Sequence, residues 1–256
     1  MASALPKNYL GKRIYFVIRD VLRFALGDSC FDVVRLNSKL RVKLTGNACE
    51  RRILFDEYYF DFDEREFLKS RLDANSVFID AGANIGGYSL YISSSLPGIR
   101  VVSIEAHPIT YERLNFNVVS NPQSKIDTVN FALSDTFGEL DLFIHERNAG
   151  QNSIKNRDRG MRSVKVPTKP LIEIINEFHL TRIDALKIDI EGAEDIVLKH
   201  FFENTVATLY PKIILIEKSY NLWNYNVIDF LVMKGYQPII DFNKNLALEF
   251  MRNNHH

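Results

Sequence analysis

Four acidic residues in this 256-residue chain share one kind of position, immediately after a short apolar run. Asp80 follows Val77-Phe78-Ile79, Glu105 follows Arg100–Ile104, Asp189 follows Ile183–Ile188, and Glu217 follows Pro211–Ile216. If those runs are parallel strands, all four acids stand on the carboxyl edge of one sheet, where open α/β proteins bind ligands. A single acid there reads as a helix cap or a solvated loop residue; four on one rim read as a site. The run Lys187-Ile188-Asp189-Ile190-Glu191-Gly192 alternates, so Lys187, Asp189 and Glu191 project from one face. A carboxylate placed to take a proton typically contributes about 10²–10⁴-fold in rate. Asp189 is the first choice for that role and Glu191 the second, with Lys187 orienting them or donating to an oxygen. No Cys/His set has zinc-ligand spacing and no metal is assigned; magnesium on the carboxylates is the less favoured alternative.

The stretch Ser76 to Leu90, SVFIDAGANIGGYSL, organises the rest. An apolar run rich in β-formers is followed by a glycine turn at Gly82, Gly86 and Gly87, and then by helical spacing from Tyr88. Strand, glycine loop and helix N-terminus in that order make a cofactor cradle. A dinucleotide would require glycine where Asn84 stands, and the Asp80 carboxylate would repel a diphosphate. The same carboxylate would attract an ammonium or sulfonium, by about 4 kcal/mol at 4 Å in a surface-like dielectric. The loop therefore suits S-adenosylmethionine better than NAD. Glu105, at the end of the neighbouring strand, is placed to accept hydrogen bonds from both ribose hydroxyls of an adenosyl group.

From Val77 onward strands and helices alternate, which requires a mostly parallel sheet covered on both faces. Strands are expected at Arg100–Ile104, Val129–Leu133, Glu139–Ile144, Ile183–Ile188 and Pro211–Ile216. Helices are expected at Pro108–Val119, Leu171–Phe178, from Gly192 to about Phe202, and at Val227–Met233. Gly235 turns the chain into an antiparallel pair at Tyr236–Asp241 and Leu246–Phe250. Residues 146–163 read as a long polar surface loop that could order over a substrate. Upstream, residues 32–45 read as a hairpin around Asn37-Ser38-Lys39, and residues 50–71 as helix broken near Asp61-Phe62-Asp63. The aromatics of that helical stretch read as core or as the wall of an acceptor pocket. Residues 10–26 place Ile14, Val17, Val21 and Ala25 on one helical face with Lys12, Arg13, Arg19 and Arg23 among the others. Such a helix covers a domain end or a partner subunit, and suits a homodimer; peripheral membrane contact is the alternative.

Lys plus Arg equals Asp plus Glu at 32 each, so no global field recruits nucleic acid. The longest apolar run near the N-terminus, Ile14–Ile18, is too short to span a bilayer, and no transmembrane segment or signal peptide is read. Cys30 and Cys49 are then reduced thiols of a cytoplasmic protein. His255 and His256 form a tail with no assigned role.

VFIDAGANIGGYSL, VVSIEAHP, FALSDTFGELDLF, DALKIDIEGAEDIVLKH and PKIILIE together resemble the FkbM-type family of S-adenosylmethionine-dependent methyltransferases, over about residues 76–218. The KIDIEGAE run and the EAHP element are its specific parts. The resemblance implies a seven-stranded Rossmann-like class I methyltransferase fold; it does not cover the first 70 residues, and residues 1–72 are read as a helical and hairpin extension on a catalytic domain of 73–254. It implies O-methylation of a sugar, glycan or natural-product hydroxyl. By position it puts Asp80, Gly82, Asn84 and Gly86 in the cofactor loop, Glu105 at the ribose, Ser134 and Asp135 beside adenine, and Asp189 and Glu191 at the reaction centre. His107 departs from the expected residue and is given no chemistry. Two other readings remain: an NAD(P)-dependent oxidoreductase on a related sheet, and a non-catalytic binding protein of the same fold.

Overall fold

The computed structural model describes Gly27, residues 29–55, residues 60–144, Ser153 and residues 162–251. The expected amphipathic helix at 10–26 and most of the 146–163 loop lie outside these residues. A two-stranded hairpin comes first, β1 (Cys30–Arg35) and β2 (Ser38–Lys43), with Leu36 and Asn37 both at positive φ. Paired left-handed residues match the right-handed twist of the strands they join, which places the turn one residue earlier than the sequence suggests. Helices α1 (Ala48–Phe55) and α2 (Phe62–Arg71) follow, with the break at Asp61 as expected.

The chain continues with β3 (Val77–Ala81), α3 (Gly87–Ser95), β4 (Arg100–Ile104), α4 (Pro108–Val119), β5 (Lys125–Val129), β6 (Ala132–Ser134) and β7 (Gly138–Ile144). After these come β8 (Arg162–Pro170), α5 (Leu171–Glu177), β9 (Ala185–Ile188), α6 (Glu194–Glu203), β10 (Ile213–Glu217), α7 (Val227–Met233), β11 (Tyr236–Asp241) and β12 (Asn245–Phe250). Seven strands form one sheet in the order β11-β12-β10-β9-β3-β4-β5, parallel except where β12 joins β10 and β11. This is the doubly wound, seven-stranded arrangement expected of a class I methyltransferase fold.

Side-chain alternation along the strands divides the interior in two. Ile79, Ala81, Val102, Ile104, Leu186, Ile188, Ile214 and Ile216 pack with the helices α5, α6 and α7. Their neighbours Phe78, Val101, Ala185, Ile213 and Leu215 face the other way, onto α3, the hairpin and residues of α1 and α2. A strand buried on both faces must be apolar at both parities, and the sequence obeys.

The structure corrects three boundaries. The third strand is Lys125–Val129, not Val129–Leu133; as the sheet's edge strand it keeps only Val129 fully buried, so its polar residues hid it. Residues 162–170 form a full strand where the reading had loop and unassigned chain, although Val164, Val166 and Thr168 alternate visibly. That strand pairs with β6 and β7 in a separate three-stranded sheet. Lastly, α6 starts at Glu194, because Gly192 is left-handed at φ 106° and its N–H donates to the Glu194 carboxylate.

Candidate functional site

The loop after β3 closes on itself through glycine. An added Cβ at Gly82 would stand 1.8 Å from the carbonyl oxygen of Asp189, and one at Gly86 would stand 2.8 Å from Leu114 on α4. Both residues also hold positive φ, at 79° and 90°. These two glycines thus let chain segments approach one another, a need distinct from the phosphate contact of dinucleotide loops. Asn84 is left-handed at φ 52°, as its residue type permits, and its backbone N–H donates to Glu105 Oε2 at 2.9 Å. The other Glu105 oxygen accepts from the His107 N–H at 2.9 Å. Burial drives the Glu105 carboxyl up to about 7, against these two donors. His107 itself turns its ring to Thr110 at 2.9 Å and starts α4.

A cleft runs over this loop, lined by Gly82 to Ile85, Glu105, Phe131 to Leu133, Lys187, Asp189 and Glu191. Of the residues singled out in the sequence, Gly82, Asn84 and Glu105 line this cleft. Gly86, Ser134 and Asp135 lie just outside the lining; Ser134 donates to Asp135 at 3.1 Å. The cleft wall there is formed instead by Phe131, Ala132 and Leu133, immediately before Ser134.

Asp80 lies deeper than its sequence position implies. It is inside β3 rather than beyond it, fully buried, and not on the cleft wall. Its carboxylate accepts from Ser89 Oγ at 2.6 Å, and Ser103 donates to Ser89 in turn at 2.7 Å. Across the sheet it is register partner to Lys187, whose Nζ lies 3.4 Å from Asp80 and 3.9 Å from Asp189. Burial opposes the lysine's charge, yet Asp80, Asp189 and Asp61 together hold its pKa above the ordinary value. Asp80 thus acts on any ligand through Lys187 and Asp189, not by facing it.

A second cavity, of about 430 Å³, adjoins the first and is lined by Arg52, Asp61, Asp189, Glu191, Glu217, Tyr220 and Lys244, among others. Asp189 and Glu191 belong to both walls. The turn that carries Glu191 is left-handed at φ 59°, and its carbonyl accepts from the buried Ser153 at 2.6 Å. Asp189, Glu191 and Glu217 present carboxylate oxygens within 4.8 Å of one another. Burial and these two neighbours push Glu217 up to about 9, so the cluster retains a proton at neutral pH. Oxygen ligands on that spacing are also what a hard divalent cation requires.

Sequence reasoning missed the residues that the N-terminal extension brings to the site. Asn47 precedes α1, its Oδ1 accepts the N–H groups of Cys49 and Glu50, and its Nδ2 donates to Asn84 at 2.7 Å. The pattern Asn47-x-x-Glu50 was the available signal, since it is that of a helix start. Phe60, Asp61 and Cys49 line the cofactor cleft as well. Of the residues proposed as a pocket wall, Phe60 is one, Phe67 and Leu68 are core, Phe62 is exposed, and Tyr58 and Tyr59 fall outside the described residues. Cys30 and Cys49 are both free thiols, and burial raises Cys49 to about 12.

Among known proteins, residues 80–238 match the family model described as the methyltransferase FkbM domain. The chain is similar to "Methyltransferase sdnD" of Sordaria araneosa, 31% identical over 160 residues, which are 51% of this chain and 62% of that protein. It is also similar to "Methyltransferase 1" of Beauveria bassiana (strain ARSEF 2860), 26% identical over 49% of this chain and 58% of that one. The match thus spans under two thirds of either relative. Solved structures resemble it more distantly. A putative caffeoyl-CoA O-methyltransferase from Staphylococcus aureus is 12% identical, with TM-score 0.47 over 92% of this chain and 98% of that one. The N-terminal domain of human METTL16 in complex with SAH is 15% identical, with TM-score 0.43 over 93% and 82%. Likeness that remote leaves the architecture to be argued from the sheet order given above. The family match covers Asp80 and the glycine loop, Glu105, Lys187, Asp189, Glu191 and Glu217, though not the cleft residues Cys49, Phe60 and Asp61, and with it the S-adenosylmethionine expectation agrees: this chain belongs to the FkbM methyltransferase domain family.

Proposed function

We propose that the chain is an S-adenosylmethionine-dependent O-methyltransferase acting on a hydroxyl of a sugar, glycan or natural product. The observation that carries this reading is the shared wall: Asp189 and Glu191 separate the cofactor cleft from a polar cavity large enough for a small acceptor. S-adenosylmethionine, when bound, supplies an activated methyl group. The chain's own residues fit that group, because Glu105 offers paired carboxylate oxygens for the ribose and the acids carry negative charge near a sulfonium.

The protein's part in the reaction is positional and proton-accepting. Lys187 fixes Asp189 from beneath through its ion pair, and Asp189, partly open to the cavity, takes the proton of the acceptor hydroxyl. Glu191 stands second for that role. Holding two reactants in line can supply roughly 7–11 kcal/mol of the barrier. In this reading residues 1–72 are an extension on a catalytic domain of 73–254. The protein works in the cytoplasm, with a homodimer or a membrane surface as the partners that the amphipathic spacing of residues 10–26 would suit. No helix among the described residues is long and apolar enough to cross a membrane.

The oxidoreductase alternative loses its ground to the family match, and a silent binding protein would have no use for the Lys187-held carboxylate. The test pairs binding with turnover. S-adenosylhomocysteine at a hundred times its Kd should stabilise the protein by about 2.7 kcal/mol, NAD should not, and Glu105→Ala should abolish the response. Release of S-adenosylhomocysteine from S-adenosylmethionine is then followed across a panel of hydroxylated glycans and polyketides. With any acceptor found, Asp189→Asn is expected to keep cofactor affinity and lose about 10²-fold or more in kcat. Unchanged kcat would take Asp189 out of the role.

A further inference from the structure

Asp61 stands at the first residue before α2, where an aspartate normally spends its side chain on the helix's free N–H groups. Here it makes no such cap. Its backbone is left-handed at φ 45°, a conformation that costs a non-glycine residue free energy and is kept only where the surroundings impose it. The side chain instead lines both the cofactor cleft and the acceptor cavity, a position it shares with Asp189, Glu191 and Cys49. A second observation points to the same spot. Tyr88, on the first turn of α3, is 4% exposed and lines the cleft; its hydroxyl meets full hydrogen-bond geometry with no group of the chain, and it faces the Asp61 carboxylate closely enough to favour its charged form. A buried hydroxyl left unmatched is costly unless a ligand completes it. Phe60 packs edge-on to the Tyr88 ring at 5.7 Å and Lys187 sits 5.1 Å from its centroid, so the phenol is held in the reaction centre.

Building on the proposed methyl transfer, we infer that Asp61 is a further reaction-centre carboxylate, supplied by the N-terminal extension, and that with the Tyr88 hydroxyl it faces the transferred methyl group and the acceptor. The centre is therefore two-sided, with Asp189 from the sheet and Asp61 from the extension. Burial raises the Asp61 carboxyl, with the neighbouring Arg52 charge opposing it and Asp189 adding to it, so its charge state answers to what occupies the cavity. The extension is then part of the active site and not only a cover for the hydrophobic face beneath it.

Sinefungin tests this without a known acceptor, because it carries an ammonium-bearing carbon where S-adenosylmethionine carries its methylsulfonium. Titration calorimetry on the full chain compares it with S-adenosylhomocysteine, which has nothing there. Asp61→Asn and Asp61→Gly are suitable variants because both residues accept a left-handed backbone, so neither should unfold the protein. The wild type is expected to prefer sinefungin, and each variant to lose about tenfold of that preference with its S-adenosylhomocysteine Kd unchanged within about twofold. Equal loss for both ligands, or no loss for either, would overturn the assignment of Asp61. Failure of S-adenosylhomocysteine to bind the wild type would instead overturn the cofactor reading beneath it. Tyr88→Phe should melt no lower than the wild type; a lower melting temperature would show that the hydroxyl serves the fold, and would remove it from the centre.

Discussion

Glu105 and Glu217 are buried carboxyls whose folded pKa values, about 7 and about 9, lie above the ordinary range. Between the unfolded and folded values the native state binds the extra proton. The stability each contributes is therefore full at low pH and is lost as pH rises, through about 7 for Glu105 and about 9 for Glu217. Ribose hydroxyls that donate to Glu105 favour its ionised form, so adenosyl binding must release that proton. The affinity for S-adenosylhomocysteine is expected to rise by up to about tenfold per pH unit and to level off near pH 7, while Glu105→Gln shows a flat profile. Calorimetry across pH checks this, and a flat wild-type profile would exclude Glu105 as the ribose acceptor. Asp80 makes the opposite kind of prediction, on stability. Both it and Lys187 are under 6% exposed by side chain, and Asp80→Asn leaves the lysine with Asp189 at 3.9 Å as its remaining ion pair, beside the Gly82 carbonyl at 3.4 Å and the charge of Asp61. The expected cost is about 3–5 kcal/mol in urea unfolding; a cost under about 1 kcal/mol would mean that Asp189 alone compensates the charge.

The elements that deliver these residues are coupled by amides. Asn117 on α4 and Asn121 just past its end each accept from a β2 backbone N–H, Arg41 at 2.6 Å and Lys39 at 2.9 Å, and donate back to the same residues' carbonyls. One turn of helix thus imitates a strand edge for the hairpin. Asn117 also donates to the Ile85 carbonyl at 2.9 Å, in the cofactor loop. Below it, Glu50 accepts from the Lys43 N–H and from Arg113, tying α1 to both hairpin and α4. Asn47 completes the path by capping α1 and holding Asn84. Asn47→Ala is expected to cost about 1 kcal/mol through the lost cap and to weaken S-adenosylhomocysteine binding by about three- to tenfold through the released loop. Thermal melts and calorimetry separate the two; a stability loss with unchanged affinity would confine Asn47 to the cap. Apart from the helix-start pattern at Asn47, none of these amides announced itself in the sequence, because an asparagine's partner is set by which backbone it meets.

At the scale of the whole molecule, the order of apolar runs, glycines and acids determined the fold class, since doubly buried strands alternating with helices admit few arrangements. It also determined that Asp189, Glu191, Glu105 and Asn84 would converge, because strand ends of a parallel sheet share one edge. The edge strand Lys125–Val129 escaped because an edge buries too little to demand an apolar pattern, and β8 because its partners β6 and β7 lie outside the main sheet. Depth was likewise invisible. A residue's distance along the chain from a strand end does not say whether the strand has ended, so Asp80 looked like a ligand contact and proved to be a buried counter-ion to Lys187. Where the described part of residues 1–72 packs was decided only by tertiary structure. Periodicity identifies a helix and its apolar face, but only packing shows that the residue interrupting it, Asp61, is turned into the site from the far side of the cleft.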